Sequence, residues 1–476
     1  MLFNSIPFAI FFITVTVLYY CIKTKYRWFL LLFSSCYFYM SFVPIYILIL
    51  GFTIIVDYIA GICIATHIGK KRKLYLVISL IANIGVLAAF KYFNFLNNNL
   101  THLLHGLHFQ NPIPYLSILL PIGLSFHTFQ SMSYTIEVYR GRQLAERNFG
   151  IYSLYVMFYP QLVAGPIERP QNLLHQFYQN YEFDYNRITS GLKLMLWGLF
   201  KKMVIADRLA IYVNAVYNNQ AHHNGSTLLM ATIFFSFQIY CDFSGYSDIA
   251  IGAARVMGFK LMTNFNRPYF SRNIAEFWKR WHISLSSWFR DYLYISLGGN
   301  RVPFPRWYFN LFVVFLISGL WHGANWVFVI WGALNGCYLI FGILTKSIRN
   351  KLDMRIGLNK VPKIWRLIQI LTTFILTSFA WIFFRSNTLT DALHIIKKIF
   401  TSPGPVFYEN PSMLILICFG ICFLLTVELK KEFYRGSFSF SNNKSWLIRN
   451  LTYAILIIFI LLVGVLDGGQ FIYFQF

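Results

Sequence analysis

Two histidines occupy settings in which an imidazole could do acid–base work. His322 lies in "LISGLWHGANW", at the end of an apolar run, and His282 lies in "FWKRWHISLSS", among aromatic and basic residues. Neutral imidazole, with an unperturbed pKa of about 6.5, can take a proton from an attacking hydroxyl near neutral pH and return it to a leaving group, which is the logic of acyl transfer. A third reactive group stands near the end of the chain: in "VLDGGQFIYFQF" the phenol of Tyr473 follows two glycines and sits among phenylalanines. No Gly-x-Ser-x-Gly elbow, His-Glu-x-x-His pair or phosphate loop competes with these groups. The seven cysteines, Cys21, Cys36, Cys63, Cys241, Cys337, Cys418 and Cys422, form neither a Cys-x-x-Cys pair nor a ligand cluster with histidine, so they read as packing residues and no metal is expected.

The elements that must position these groups follow from composition. The 476 residues are 57% hydrophobic and 12% charged, with mean hydropathy +0.53, against roughly 25% charged in a soluble domain. Runs such as "LYLVISLIANIGVLAAF" and "LTYAILIIFILLVGVL" approach the roughly 20 apolar residues that cross a bilayer as a helix, and no ten-residue alternation suggests a barrel. The fold class is therefore all-α and polytopic. The net charge of +24 is concentrated in short connections between spans, which fits the positive-inside rule and a lipid partner rather than nucleic acid. The same charge would draw an anionic cytosolic substrate. The first span lacks a basic leader and a cleavage site and is followed by Lys23, Lys25 and Arg27, so it is expected to be retained with the amino terminus outside.

Spans are expected near residues 5–22, 28–42, 44–66, 74–97 and 116–138, with "KTKYR", "GKKRK" and "YRGRQLAER" on one side and the Lys/Arg-free loop "NNNLTHLLHGLHFQNPIP" on the other. The basic side is cytosolic. A basic loop at 346–366 leads to a span ending near 384, the Lys/Arg-free exit loop "TSPGPVFYENPSM", a span near 412–428 and a last one near 450–466. Between about 140 and 310 the apolar runs are interrupted by "GPIERP", "FKKMVIADRL" and "CDFSGYSD". Irregular, charged backbone at membrane depth survives only where protein buries it or a wet cavity borders it, so function is expected there. The chain reads as one membrane domain: N-terminal spans 1–139, a catalytic core 140–345, C-terminal spans 346–466 and an extracytoplasmic tail 467–476.

In 271–301 the apolar positions Ile274, Phe277, Trp278, Trp281, Leu285, Trp288, Phe289 and Tyr292 recur every three or four residues, which predicts one amphipathic helix at the cytosolic interface. On that pattern alone His282 is a polar residue on its flank. His322 follows about a dozen apolar residues after "RVPFPRW", a rise of about 18 to 20 Å, which places it inside the ~30 Å core. Gly319, Gly323 and Asn325 imply a break or hairpin there. An ionisable side chain at that depth is a functional candidate, the alternative being a histidine bonded to a neighbouring helix. Asp57, Asp242, Asp248 and Glu168 are expected to be structurally paired.

These segments, with "FWKRWHISLSSWFRDYLYISLGGNR", "LISGLWHGANWVFVIWGALNG", "GPIERP", "LWGLFKKMVIADRL" and "YCDFSGYSDIAIG", resemble the membrane-bound O-acyltransferase (MBOAT) family, in its bacterial alginate O-acetylase branch. The resemblance covers essentially the whole chain. It implies helices around a central tunnel, with His322 as the catalytic histidine and His282 as its upstream partner. It also implies acetyl-CoA as donor substrate with no permanently bound cofactor, and an extracytoplasmic SGNH-hydrolase-like O-acetyltransferase as partner. The final acceptor would be an exported polysaccharide, either alginate, another exopolysaccharide or peptidoglycan, at the bacterial inner membrane. The pattern Phe-x-Tyr-x-x-Phe at 471, 473 and 476 resembles a carboxy-terminal acyl-transfer motif of bacterial envelope acylation systems, in which the tyrosine carries the acyl group. From Asp467 to Tyr473 the extended chain reaches about 20 Å against a half-core of ~15 Å, so Tyr473 can reach His322. The alternatives are an interfacial aromatic belt for the tail and, for the whole chain, a transporter with interrupted helices along its path.

Overall fold

In the computed structural model, residues 1–117, 121–163, 165–408, 410–434, 445–465 and 471 are described, and among them the regular structure is entirely helical. Eight helices among these residues are long and apolar enough to cross a membrane: Pro44–Thr66, Gly69–Gly106, Gly225–Met257, Phe304–His322, Trp326–Leu344, Pro362–Arg385, Pro411–Phe433 and Trp446–Val463. The chain is thus a multi-pass membrane protein. It divides into two compact units, one of Met1–Met195 with Ser247–Met262, the other of Leu196–Tyr246 with the chain from Thr263 onward.

In the first unit the helix Leu124–Tyr139 has nearly every residue buried. That explains its mixed sequence: it faces protein rather than lipid, so Ser131, Ser133 and Thr135 are admissible there. Asp57, fully buried on the helix Ile47–Thr66, accepts hydrogen bonds from Ser79 Oγ (2.6 Å) and Asn83 Nδ2 (2.9 Å). Two expectations are corrected here. The loop expected over 97–114 is helical as far as Gly106, because the span beginning at Gly69 continues through a wide π-helical turn at Ala88–Tyr92 into Phe93–Gly106. Its asparagines satisfy one another and the returning chain, with Asn97 donating to the Ile113 carbonyl and Asn111 to Asn97 Oδ1 (2.6 Å). Where a fifth span is expected from 116, the helix starts at Leu124, and with 16 residues it is not among the eight long enough to cross.

In the second unit the chain runs from Leu199 through a π-helical segment, Phe200–Ala206, into the helix Asp207–Tyr217. "CDFSGYSD", expected to interrupt a span, lies inside one unbroken helix, Gly225–Met257. Its polar groups are satisfied laterally. Lys202 Nζ lies 2.5 Å from Asp242 and 2.8 Å from Asp207, Lys201 donates to Ser244 Oγ (2.8 Å), and a Cβ on Gly245 would meet the Gly198 carbonyl at 2.8 Å. Charged residues with partners this close need not break a buried helix. The exit from the Pro362–Arg385 span also differs from expectation. A helix, Leu389–Thr401, follows, opened by a capping box of Thr388 and Asp391. It carries Lys397 and Lys398, so this connection is not free of basic charge; Lys398 Nζ is consumed locally, donating to the carbonyls of Gln220, Ala221 and His223. The basic 346–366 stretch is likewise largely helical, over Lys346–Ile356.

Candidate active site

The helices Phe304–His322 and Trp326–Leu344 form an antiparallel hairpin whose backbones touch. A Cβ on Gly319 would stand 2.2 Å from the Phe328 carbonyl, and one on Gly332 would stand 2.3 Å from the Phe315 carbonyl. Small residues give this approach, as they do between packed membrane helices. The turn is closed by Asn325, whose Oδ1 accepts from Val327 N (3.1 Å) while its Nδ2 donates to the Asn387 carbonyl (3.0 Å). His322 is therefore the last residue of a helix, beside the expected hairpin. That helix begins at Phe304, ahead of the apolar run, and by length suffices to cross a membrane. The imidazole is buried in a collar of rings: Trp321 at 4.9 Å, Trp331 at 5.0 Å and Phe384 at 5.3 Å between centroids.

The stretch around His282 is not the single interfacial helix that its periodicity predicts. One helix runs over Ile274–Arg280, the chain then turns through His282 in a left-handed conformation (φ 42°, ψ 55°), and Ile283–Trp288 and a π-helical turn Phe289–Tyr294 follow. A non-glycine residue in that region costs about 1–2 kcal/mol. Partners around the turn offset it. Asn264, fully buried, accepts the Ile283 N–H on its backbone carbonyl (2.8 Å) and the Ser284 N–H on its side-chain Oδ1 (3.2 Å). The outer face of the segment is fixed by Arg280, which bonds Glu276 (2.6 Å) and Glu432 (2.9 Å).

His282 is 1% exposed, so it is a core residue and not a flank residue of an interfacial helix. Its Nδ1 lies 3.1 Å from Asn264 Oδ1, and its ring meets Phe243 edge-on at 4.5 Å and Trp321 at 6.4 Å. Burial pushes its pKa down to about 3, so the ring is neutral. Both histidines thus lie against Trp321. The roles of Trp321, Asn264 and Phe243 are not legible in sequence; the Asn264–Phe265–Asn266 run in "TNFNRPYF" is the available sign, and it does not show its target.

Phe471, fully buried, packs against Phe243 (5.6 Å) and Tyr246 (4.6 Å). Just before it, the end of the last helix is gripped by Arg208, whose Nε donates to the Val463 carbonyl (2.6 Å), and by the Met203 carbonyl, which accepts from Val465 N (3.2 Å). Tyr473 itself lies outside the described residues. Of the acidic residues, Asp242 is ion-paired as above. Asp248 is half-buried, and Glu168 accepts the Met262 N–H (2.5 Å) in the first unit. No group of three or more metal-ligating side chains occurs among the described residues.

The fold is that of a polytopic helical membrane protein, with a buried imidazole on a helical hairpin and a second one beside the same indole. The model of the membrane-bound O-acyltransferase family matches residues 142–386, and this chain belongs to that family. It is 38% identical over 404 residues to the probable alginate O-acetylase AlgI of Pseudomonas aeruginosa, covering 84% of this chain and 75% of that one. It is 35% identical over 434 residues to the peptidoglycan O-acetyltransferase of Helicobacter pylori, covering 83% and 79%. A more distant relative, 28% identical over 267 residues, is the teichoic acid D-alanyltransferase of Streptococcus thermophilus. The protein is a transmembrane O-acyltransferase, and the transporter reading falls.

Proposed function

We propose that this enzyme moves an acetyl group from cytosolic acetyl-CoA across the inner membrane to an extracytoplasmic SGNH-type O-acetyltransferase, which completes O-acetylation of an exported polysaccharide. The relatives' names favour alginate-like polymers or peptidoglycan as the acceptor. The observation that carries the reading is the pair of buried imidazoles, His282 and His322, against the one indole of Trp321. The basic connections on the cytosolic side suit the phosphates of CoA. The expected domain division stands with this proposal: spans 1–139, catalytic core 140–345, spans 346–466 and the tail 467–476 outside, with both termini extracytoplasmic. The donor and acceptor meet in a tunnel through the helices.

In the proposed step His322 takes the phenolic proton of Tyr473 as its oxygen attacks the thioester carbon. The acyl C–S bond breaks, the acyl C–O bond of an acetyl-tyrosine ester forms, and the proton passes to the CoA thiolate. The ester is then presented to the serine of the partner. Tyr473 follows Phe471 by two residues, so the extended chain between them reaches at most about 7 Å from Phe471, whose ring shares the Phe243 wall with His282. The test reads the acetylated carboxy-terminal peptide on purified protein given labelled acetyl-CoA in detergent, and polymer acetylation in cells that hold the partner and the polymer, with Tyr473→Phe as the variant. That change keeps the apolar surface and deletes the hydroxyl. Loss of polymer acetylation and of the acetylated carboxy-terminal peptide in mass spectra is expected, and full polymer acetylation by the Phe variant would end the carrier role.

A further inference from the structure

We propose that Asn264 is a positioning residue for His282: its side-chain carbonyl holds the imidazole as the Nδ1–H tautomer, so that the lone pair offered to reacting groups is on Nε2. The inference rests on the reading above that His282 belongs to the acyl-transfer site.

The argument starts from a donor whose identity is not adjustable. The backbone N–H of Ser284 can only donate, and it points at the side-chain amide of Asn264 across 3.2 Å. The amide atom facing it must therefore be the carbonyl oxygen, because the flipped amide would set two donors against each other. Once that orientation is fixed, the same oxygen faces His282 Nδ1 at 3.1 Å. An oxygen with only lone pairs makes a favourable contact with Nδ1 only if Nδ1 carries the hydrogen. In a neutral imidazole the other nitrogen is then the acceptor.

A competing arrangement runs through Ser284. The Ser284 hydroxyl lies 3.5 Å from Nδ1 and 2.9 Å from Asn264 Oδ1. Were it to donate to Nδ1, the imidazole lone pair there would face the Asn264 oxygen at the shorter distance, and a repulsive contact would be exchanged for a hydrogen bond at the limit of length. The short hydroxyl bond to Oδ1 is the better solution. Asn264 is also committed to this geometry from its main chain, since its carbonyl receives the Ile283 N–H at 2.8 Å. The left-handed turn at His282 and the tautomer of its ring are therefore set by one residue. Burial, which keeps the ring neutral, makes the choice of tautomer matter: a cation would have hydrogens on both nitrogens.

The deciding measurement is made on the whole protein in detergent, labelled with 15N-histidine. Long-range 1H–15N correlation is recorded, and the His282 signals are assigned by their loss in His282→Gln. Wild type should show a pyrrole-type Nδ1 and a pyridine-type Nε2; the reverse pattern, or a cation near neutral pH, overturns the proposal. Ser284→Ala keeps the backbone N–H and should keep the tautomer, whereas a switch would assign control to the hydroxyl. Asn264→Leu should mix the tautomers and lower kcat about 10- to 100-fold, the range known for residues that orient metal-bound imidazoles, with KM for acetyl-CoA little changed. Asn264→Asp, which preserves the acceptor, should recover both tautomer and most of kcat even if the Leu variant folds poorly. An Asp variant with the wrong tautomer overturns the proposal. The spectroscopic result needs no turnover, so it fails or holds independently of the acyl-transfer reading, which His282→Gln activity tests by itself.

Discussion

Lys202 and His282 are each 1% exposed within the same compact unit, yet their neighbours share nothing in kind. Lys202 is met by two carboxylates, Asp207 and Asp242, at 2.8 and 2.5 Å. Around His282 stand the Asn264 amide, the Ser284 hydroxyl and the rings of Phe243, Phe265 and Trp321, and around His322 a collar of rings. Compensated charge fixes helices: the pair ties the π-helical segment to the long helix Gly225–Met257 at the level of Phe243's neighbour. A neutral imidazole among rings keeps a proton-accepting nitrogen in a dry setting, where electrostatic effects on a developing charge are strongest. The first arrangement resists change, and the second is where the proposed function places the chemistry.

Four perturbations break or sharpen that contrast, in decreasing size of effect. His322→Ala should lower acetyl transfer by ~10² to 10⁴, the usual contribution of a general base, while the protein still inserts and elutes as a folded species. Normal acetylation by the folded variant would remove His322 from the chemistry. Lys202→Met leaves two carboxylates buried without their cation and should cost about 3–5 kcal/mol of stability, read as a lowered denaturation midpoint. The fraction that remains folded should cleave thioester at the wild-type rate per molecule, and a selective loss of turnover would blur the contrast. His282→Ala should cost less turnover than His322→Ala, with a change in donor affinity visible in KM; unchanged turnover and affinity would exclude it from the site.

The smallest effect concerns Glu168, a buried carboxyl in the first unit that accepts a backbone N–H. Burial pushes its pKa up to about 7, above the value of about 4.3 in an unfolded chain. The folded state therefore binds this proton more tightly. The resulting stabilisation is complete below pH ~4.3 and is lost as pH rises through ~7. Thermal midpoints should fall across that window in wild type and fall less in Glu168→Gln; identical slopes would place the titration elsewhere.

Much of the scaffold is legible in sequence because apolar length alone demands it. The hairpin at Gly319–Asn325 was legible as well, since glycines and a capping asparagine beside a histidine have few other uses. What was hidden depends on partners distant in sequence. "CDFSGYSD" looks like an interruption until Lys202, forty residues away, neutralises Asp242. The 271–301 periodicity looks like one helix because nothing local announces that Asn264 will stabilise a left-handed His282. The Lys397 and Lys398 helix upsets a simple charge count because Lys398 serves carbonyls rather than topology.

The seat of Phe471 between Phe243 and Tyr246 has a kinetic consequence if the tail carries acetyl. A ring already docked has lost most of its freedom before any donor arrives, so the phenol two residues on meets the thioester at an effective concentration set by a very short tether, in the millimolar range. The encounter becomes first order in enzyme. A free peptide of the tail's sequence, added to a protein truncated after Val465, would have to reach comparable millimolar levels to replace it. Loosening the seat by Phe471→Ala would raise the peptide's competitiveness against the native tail.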